Sequence, residues 1–163
     1  MRDGSRMRTL VLGMGNTILS DDGAGIYVAR ELEREQREGV DYAEASVGGL
    51  RLLDVIAGYE RVILVDAIQT ATGTPGDIYR LQPDDLLVSR HAGSSHDLSL
   101  PGALALGRGM GMPLPEDENM CIIALEVDDV VTFGEECTPA VAAAIPQAVK
   151  AVKQELARFA APA

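Results

Sequence analysis

The sequence predicts an α/β protein of three layers, in which helices cover both faces of a twisted, mostly parallel sheet. Three short continuous apolar runs indicate strands buried on both faces: Leu10 to Leu12, Val62 to Val65 and Cys121 to Leu125. Helical patterns separate these runs. Alternation of strands with helices of about ten or more residues is typical of this fold class.

Length and composition indicate one globular domain, residues 1–163. The chain has 163 residues, of which 47% are hydrophobic and 24% are charged. Its formal net charge of −11 would repel phosphate backbones and anionic lipid, so we expect neither nucleic acid nor a membrane surface as a partner. The first apolar stretch is broken at Gly13 and Gly15, which argues against a signal peptide, and no apolar run reaches the ~18 residues of a membrane span. Two cysteines cannot form a disulfide framework, which favours the reducing cytoplasm.

The remaining elements follow from periodicity and from helix and turn signals. Ile26, Ala29 and Leu32 give one face of a surface helix that we expect to close at Gly39. Further strands are predicted at Asp77 to Leu81 and, on weaker signals, at Val40 to Ala45. Shorter helices are predicted over Leu50 to Ile56 and Leu98 to Arg108, whereas Ser89 to Ser95 has no apolar period and is expected to be a mobile loop.

The last helix has a clear predicted start. Thr138 suits the N-cap and Pro139 the first helical position. Pro146 falls inside the helix and is expected to kink it or to split it in two. The apolar stripe of this helix comprises Val141, Ile145, Ala148, Val149, Val152, Leu156 and Phe159.

A glycine-rich loop follows the first strand, and it has two interpretations. Gly13 and Gly15 after a strand suggest a dinucleotide loop, but Ile18 stands where the third glycine belongs. Asp21 and Asp22 also place negative charge where a pyrophosphate would bind. Either carboxylate could instead cap the next helix, and the residues alone leave that alternative open.

A second acid and two histidines complete the candidate groups. Asp66 ends a predicted strand at the edge where binding sites of open α/β sheets gather, although it could simply cap the next turn. His91 and His96 flank the Ser/Gly-rich loop. Two strand-end carboxylates and one loop histidine form an O,O,N ligand set suited to nickel or zinc.

Four blocks of sequence together carry a family resemblance: Leu12 to Gly25, Ile63 to Ile68, Ser95 to Leu100, and Glu126 to Val130 with Phe133-Gly134 and Thr138-Pro139. In this order they resemble the signatures of the nickel-iron hydrogenase maturation proteases. In many members an Asp-Gly-Gly-Thr stretch follows the second strand, whereas here Glu44 to Gly49 retains only Gly49 as an obvious match.

The resemblance implies an activity, a fold and a set of site residues. It implies an endopeptidase that removes a short C-terminal extension from the precursor of a nickel-iron hydrogenase large subunit, and a sheet of about five strands. The family's metal-binding acids match Asp22 and Asp66, and its histidine matches His96. These residues would sense nickel carried by the substrate, with no permanent metal and no organic cofactor. We expect a monomer that acts in the cytoplasm.

The mechanism expected from these residues uses water. Cys121 lies in an apolar strand and Cys137 has no histidine nearby in sequence, so neither suggests a nucleophile. Asp22 and Asp66 are the predicted ligands or bases that activate water for peptide hydrolysis. A noncatalytic nickel chaperone and a nucleotide-binding regulatory domain remain the alternatives.

Overall fold

Five strands form one sheet in the computed structural model, which describes residues 8–46, 48, 50–87 and 99–160. The strand order is β2-β1-β3-β5-β4, with β4 antiparallel to β5 and the other neighbours parallel. The predicted fold class, a mostly parallel sheet between helices, is confirmed. The strands are β1 (Thr9–Met14), β2 (Val40–Ala45), β3 (Arg61–Ile68), β4 (Ile78–Leu81) and β5 (Met120–Glu126).

Helices pack on both faces of the sheet. Alternate strand side chains point to opposite faces, so Val11 and Ile63 join one core and Leu10 and Leu64 join the other. The first core includes α1 and α4, and the second includes α2 and α3. The α-helices are α1 (Ala24–Glu33), α2 (Leu50–Ile56), α3 (Leu100–Gly109) and α4 (Pro139–Ala160), and 3₁₀ turns span Ser20–Gly23, Pro83–Leu87 and Asp117–Asn119.

One predicted helix end and one predicted helix break are wrong. Helix α1 ends at Glu33 instead of Gly39, and Gly39 lies in the turn before β2 with a φ of +78°. Helix α4 continues through Pro146, so the helix is not split there, and the alternative of a kink stays a prediction. Pro146 is exposed, so a backbone carbonyl that loses its hydrogen bond there can be hydrated by water.

Other predicted helices and strands are confirmed, and some predictions concern residues that the structure does not describe. Helix α4 begins at Pro139 as expected, and β2 spans its predicted residues. The predicted loop Ser89 to Ser95 and both histidines lie outside the described residues. No helix in the described ranges has the length and apolar character needed to cross a membrane.

Candidate active site at the carboxyl edge of the sheet

The carboxyl ends of β1 and β3 lie side by side, and the start of α1 packs directly against them. Gly13 pairs with Val65 in the parallel register, so Asp66 follows immediately at the edge. A Cβ on Gly25 would overlap the Val65 carbonyl oxygen and would lie 2.7 Å from that of Met14. The missing side chain therefore lets α1, and the turn before it that carries Asp22, approach the end of β3.

Asp22 is half-buried at this edge. Its Oδ2 accepts a hydrogen bond from the backbone amide of Asn16 at 3.0 Å. Burial raises the pKa of the Asp22 carboxyl above its ordinary value, and the Asn16 hydrogen bond opposes that shift only in part. Asn16 is a contact that sequence reasoning missed, because an Asn in a glycine-rich loop looks like a turn residue.

Asp66 is the most perturbed carboxyl at the site. Burial raises the pKa of Asp66 to about 7; a hydrogen bond from the Ala67 amide at 2.8 Å lowers it, and the charge of Asp22 raises it further. The 3₁₀ turn Ser20–Gly23, which carries Asp22, also packs against β3, the strand that carries Asp66. The structure therefore brings Asp22 and Asp66 together, although 44 residues separate them in the sequence.

The third predicted site residue, His96, lies outside the described residues, so only the two acids can be placed. Within residues 8–46, 48, 50–87 and 99–160, no three Asp, Glu, His or Cys side chains are grouped closely enough to hold a metal ion. Two carboxylates alone provide an incomplete oxygen ligand set. Such a set would leave most coordination positions to another molecule.

Asp21 does not cap the helix that follows it. Its side chain is fully buried and accepts hydrogen bonds from the amides of Asp128 and Asp129, both at 3.0 Å, and from the amide and hydroxyl of Thr138. The Asp21 amide in turn donates to the Asp129 carbonyl at 2.9 Å. Asp21 thus fastens the 128–138 segment beside the turn that carries Asp22.

The glycine loop is unsuited to a phosphate group. The Gly15 amide donates to the Ala45 carbonyl at 3.0 Å, and the Asn16 amide is bound by Asp22. Gly15 has a φ of +137°, and a Cβ there would overlap the Asp22 carbonyl oxygen. The glycines therefore allow close packing inside the loop, and they do not leave amides free to bind phosphate. The glycine pattern was the basis of the nucleotide-binding alternative, so that alternative loses its support.

Neither cysteine is set up as a nucleophile. Burial raises the pKa of Cys121 to about 12 and that of Cys137 to about 11. The thiolate is the reactive form, so both thiols are unreactive near neutral pH. This agrees with the expectation that hydrolysis uses water.

Glu126 is a second buried acid whose role was not predicted. It accepts hydrogen bonds from the amide and hydroxyl of Thr70 and from the Tyr79 hydroxyl at 3.0 Å. Its carboxylate fastens the segment between β3 and β4 to the end of β5. A charged residue that ends a fully apolar strand was the available signal for this role.

Fold and site together define an α/β protein of the class whose functional groups lie at the carboxyl edge of the sheet. The model of the hydrogenase maturation protease family matches residues 26–155. The chain therefore belongs to that family, and it is a peptidase.

Relatives with curated names agree with this assignment. The chain is 30% identical to the Hydrogenase 2 maturation protease of Escherichia coli over 108 residues, which cover 64% of this chain and 66% of that protein. It is 25% identical to the hydrogenase expression/formation protein HupD of Thiocapsa roseopersicina, over 92% of this chain and 68% of that protein. The chain thus spans about two thirds of the length of these relatives.

Solved structures share the fold over almost the whole chain. The hydrogenase maturating endopeptidase HybD of Escherichia coli superposes with a TM-score of 0.76 at 26% identity and covers 94% of each chain. The [NiFe] hydrogenase maturation protease HybD of Thermococcus kodakarensis gives a TM-score of 0.64 at 26% identity, over 91% of this chain and 98% of that chain.

Proposed function

We propose that this protein removes a short C-terminal extension from the nickel-loaded precursor of a nickel-iron hydrogenase large subunit. The observation that carries the proposal is the pair of half-buried carboxyl groups, Asp22 and Asp66, at the carboxyl edge of the sheet. Membership of the maturation protease family supplies the reaction class and the kind of partner. We further propose that the protein acts as a monomer in the cytoplasm.

The electrostatics of the acid pair favour a cation that arrives with the substrate. Asp66 has a pKa of about 7, raised by burial and then by the charge of Asp22, so two ionised carboxylates at this edge repel each other. A divalent ion would relieve that repulsion, and carboxylate oxygens are suitable ligands for it. We propose that Asp22, Asp66 and His96 contact nickel already held by the precursor.

Hydrolysis then requires a water molecule and a proton acceptor. The water oxygen bonds to the scissile carbonyl carbon, the C–N bond breaks, and the leaving nitrogen gains a proton. The carboxylates of Asp22 and Asp66 are the groups at this edge that can receive the proton from water, and burial makes Asp66 the more basic of the two before nickel arrives. In the absence of nickel, burial raises the pKa of Asp66, and the negative charge of Asp22 adds to that effect.

The test is trimming of a purified large-subunit precursor, prepared with and without nickel and followed by intact mass. We expect the wild-type protein to shorten only the nickel-loaded precursor. Asp22→Asn, Asp66→Asn and His96→Ala should each abolish trimming, and the two Asp variants should stay folded because Asp22 and Asp66 belong to neither apolar core. Glu33→Gln, which changes an exposed carboxylate at the far end of α1, should trim normally.

Two results would overturn the proposal. One is normal trimming by both Asp variants, which would detach the chemistry from the acid pair. The other is equal trimming of the nickel-free and nickel-loaded precursors, which would show that nickel is not sensed. Nickel binding with no trimming of any precursor would favour the noncatalytic chaperone instead.

A further inference from the structure

Three large apolar side chains are exposed on the two loops that are bonded to the turn carrying Asp22. Ile18 is 50% exposed, Val131 is 78% exposed and Phe133 is 81% exposed. Ile18 comes from the loop after β1, and the other two come from the segment between β5 and α4. We call these three residues the apolar rim. Clustered apolar exposure of this kind usually marks a binding surface.

Backbone hydrogen bonds hold the rim in place. The Gly134 amide donates to the Ile18 carbonyl at 2.9 Å, and the Ser20 amide donates to the Gly134 carbonyl at 2.9 Å. Oδ1 of Asp129 accepts hydrogen bonds from the backbone amides of Val131 and Thr132, at 3.0 and 2.9 Å. The side chains are therefore presented on an ordered backbone, so less conformational entropy is lost when a partner binds.

The rim is continuous with the acid pair through a short chain of contacts. The Asn16 amide binds the Asp22 carboxylate at 3.0 Å, and Oδ1 of Asn16 accepts the Ile18 amide at 3.1 Å. Ile18 is in turn bonded to Gly134, the neighbour of Phe133. A polypeptide lying across the acid pair would therefore reach the rim within a few residues.

The exposed charged side chains of the segments around the rim are acidic. Residues 9–29 and 127–149 contain no Lys or Arg. Asp128, Glu135 and Glu136 are exposed there. Arg30 lies near Glu135, but its guanidinium group is bound by Glu44. The surface is thus complementary to a segment that carries both apolar and cationic side chains.

We propose that the apolar rim docks the polypeptide of the large-subunit precursor beside the scissile bond. Apolar side chains of the precursor contact Ile18, Val131 and Phe133, and flanking Lys or Arg side chains face Glu135 and Glu136. This proposal rests on the proposed function, because that function supplies the partner. A second copy of this chain fits less well, since like-charged acidic surfaces would meet.

The test compares the wild-type protein with Phe133→Ser, and uses Met110→Ser as the matched control. Met110 is 69% exposed and follows the end of α3, away from the loops that carry the rim. Initial trimming rates of the nickel-loaded precursor give kcat and KM separately. Phe133→Ser should raise KM at least tenfold, equivalent to about 1.4 kcal/mol, with kcat within twofold. Met110→Ser should match wild type.

Salt provides a second readout for the acidic flank. For the wild type, kcat/KM should fall as NaCl is raised from 50 to 300 mM, because screening weakens attraction to a cationic segment (~10 Å Debye length at 0.1 M). The double variant Glu135→Gln/Glu136→Gln should start with a lower kcat/KM and should show a flatter dependence. An unchanged salt dependence in the double variant would contradict the cationic part of the proposal.

Direct binding of the precursor separates failure of docking from failure of the proposed function. Binding without trimming, weakened by Phe133→Ser, would support docking and overturn the proposed function. Trimming with equal KM in the wild type, Phe133→Ser and Met110→Ser would overturn docking alone. No binding by the wild type would overturn both. A wild-type dimer that Phe133→Ser makes monomeric, with KM unchanged, would assign the rim to a second copy and overturn the proposal.

Discussion

Asp21 and Asp22 are adjacent in the chain but lie in opposite environments. Asp21 is fully buried and binds the amides of Asp128, Asp129 and Thr138. Asp22 is half-buried and faces the site that it shares with Asp66. Ser20, just before them, has a left-handed φ of +50° and is held by hydrogen bonds from its amide to Gly134 and from its hydroxyl to Glu136. The turn therefore supplies one structural acid and one site acid.

Substitution of these two neighbours should separate stability from activity. Asp21→Ala leaves the buried donors of Asp128, Asp129 and Thr138 without their acceptor, and should lower the free energy of unfolding by about 3 kcal/mol. Asp22→Asn should change stability by less than about 1 kcal/mol. Urea unfolding measures both values. Faster amide hydrogen exchange across residues 128–138 should appear in Asp21→Ala only, and equal protection of that segment in both variants would contradict the assigned role.

The raised pKa of Asp66 predicts that stability falls as pH rises between about 4 and 7. In that window the folded protein holds a proton on Asp66 that the unfolded chain has released, so the folded state binds more protons. Asp66→Asn should remove this dependence and should raise the free energy of unfolding at pH 8 by up to about 4 kcal/mol, since the pKa is displaced from 3.8 to about 7 and each unit corresponds to about 1.4 kcal/mol. Unfolding in urea at pH 5, 6, 7 and 8 provides the comparison. The prediction would be refuted if the free energy of unfolding changed with pH by the same amount in the variant and in the wild type.

Metal binding by the isolated protein should be weak and pH-dependent. The two proposed ligands that the structure describes are the Asp22 and Asp66 carboxylates, and a proton on Asp66 would compete with the metal. Titration with Ni²⁺ should give about tenfold tighter binding at pH 8 than at pH 6, because most of the ionisation of a group with a pKa of 7 falls in that interval. Asp66→Asn should abolish the difference. Tight binding that does not vary with pH would point to other ligands.

Gly25→Ala should separate the acid pair without touching either carboxylate. The new Cβ would overlap the Val65 carbonyl, so α1 must move away from β3. Such overpacking costs about 1 to 3 kcal/mol of stability, and trimming activity should fall with it. Gly109→Ala is the control, since a Cβ at Gly109 meets no atom within 4 Å. Wild-type activity in Gly25→Ala would show that the spacing at this edge is not critical.

A buried carboxylate on α4, paired with two arginines, should govern acid stability. Glu155 is 3% exposed, and it accepts hydrogen bonds from Arg80 at 2.6 and 2.8 Å and from Arg158 at 2.9 Å. Burial raises the pKa of Glu155, but the two guanidinium groups outweigh burial and leave that pKa below its ordinary value. The stabilisation is therefore present at neutral pH and is lost as pH falls below about 4.5.

Glu155→Gln tests this assignment. It should lower the free energy of unfolding at pH 7 by about 1 to 3 kcal/mol, because it removes a charged hydrogen-bond acceptor while Arg80 and Arg158, 44% and 53% exposed, can be hydrated by water. The difference from wild type should shrink at pH 3. A constant difference across that range would show that packing, and not charge, accounts for the loss.

The sequence by itself determined the fold class and most of the elements. Strands β1, β3 and β5 were predictable because their apolar runs reflect burial on both faces, and the start of α4 was predictable because Thr138-Pro139 is a local signal. The order of the motifs also indicated the family. The end of α1 could not be predicted, because Arg34 to Arg37 suits a helix by local propensity although the chain turns towards β2 there.

The resemblance matches Asp22 to the family's acid, but the tertiary structure alone decided the role of Asp21. Sequence spacing could not distinguish Asp21 from Asp22, because both stand in the same turn and either could cap a helix. The difference arises from the 128–138 segment, more than 100 residues away, whose amides surround Asp21 and leave Asp22 at the site. The pKa of Asp66 likewise depends on burial and on a neighbour 44 residues distant. Burial and long-range electrostatics are set by packing, and packing is not encoded in any local run of residues.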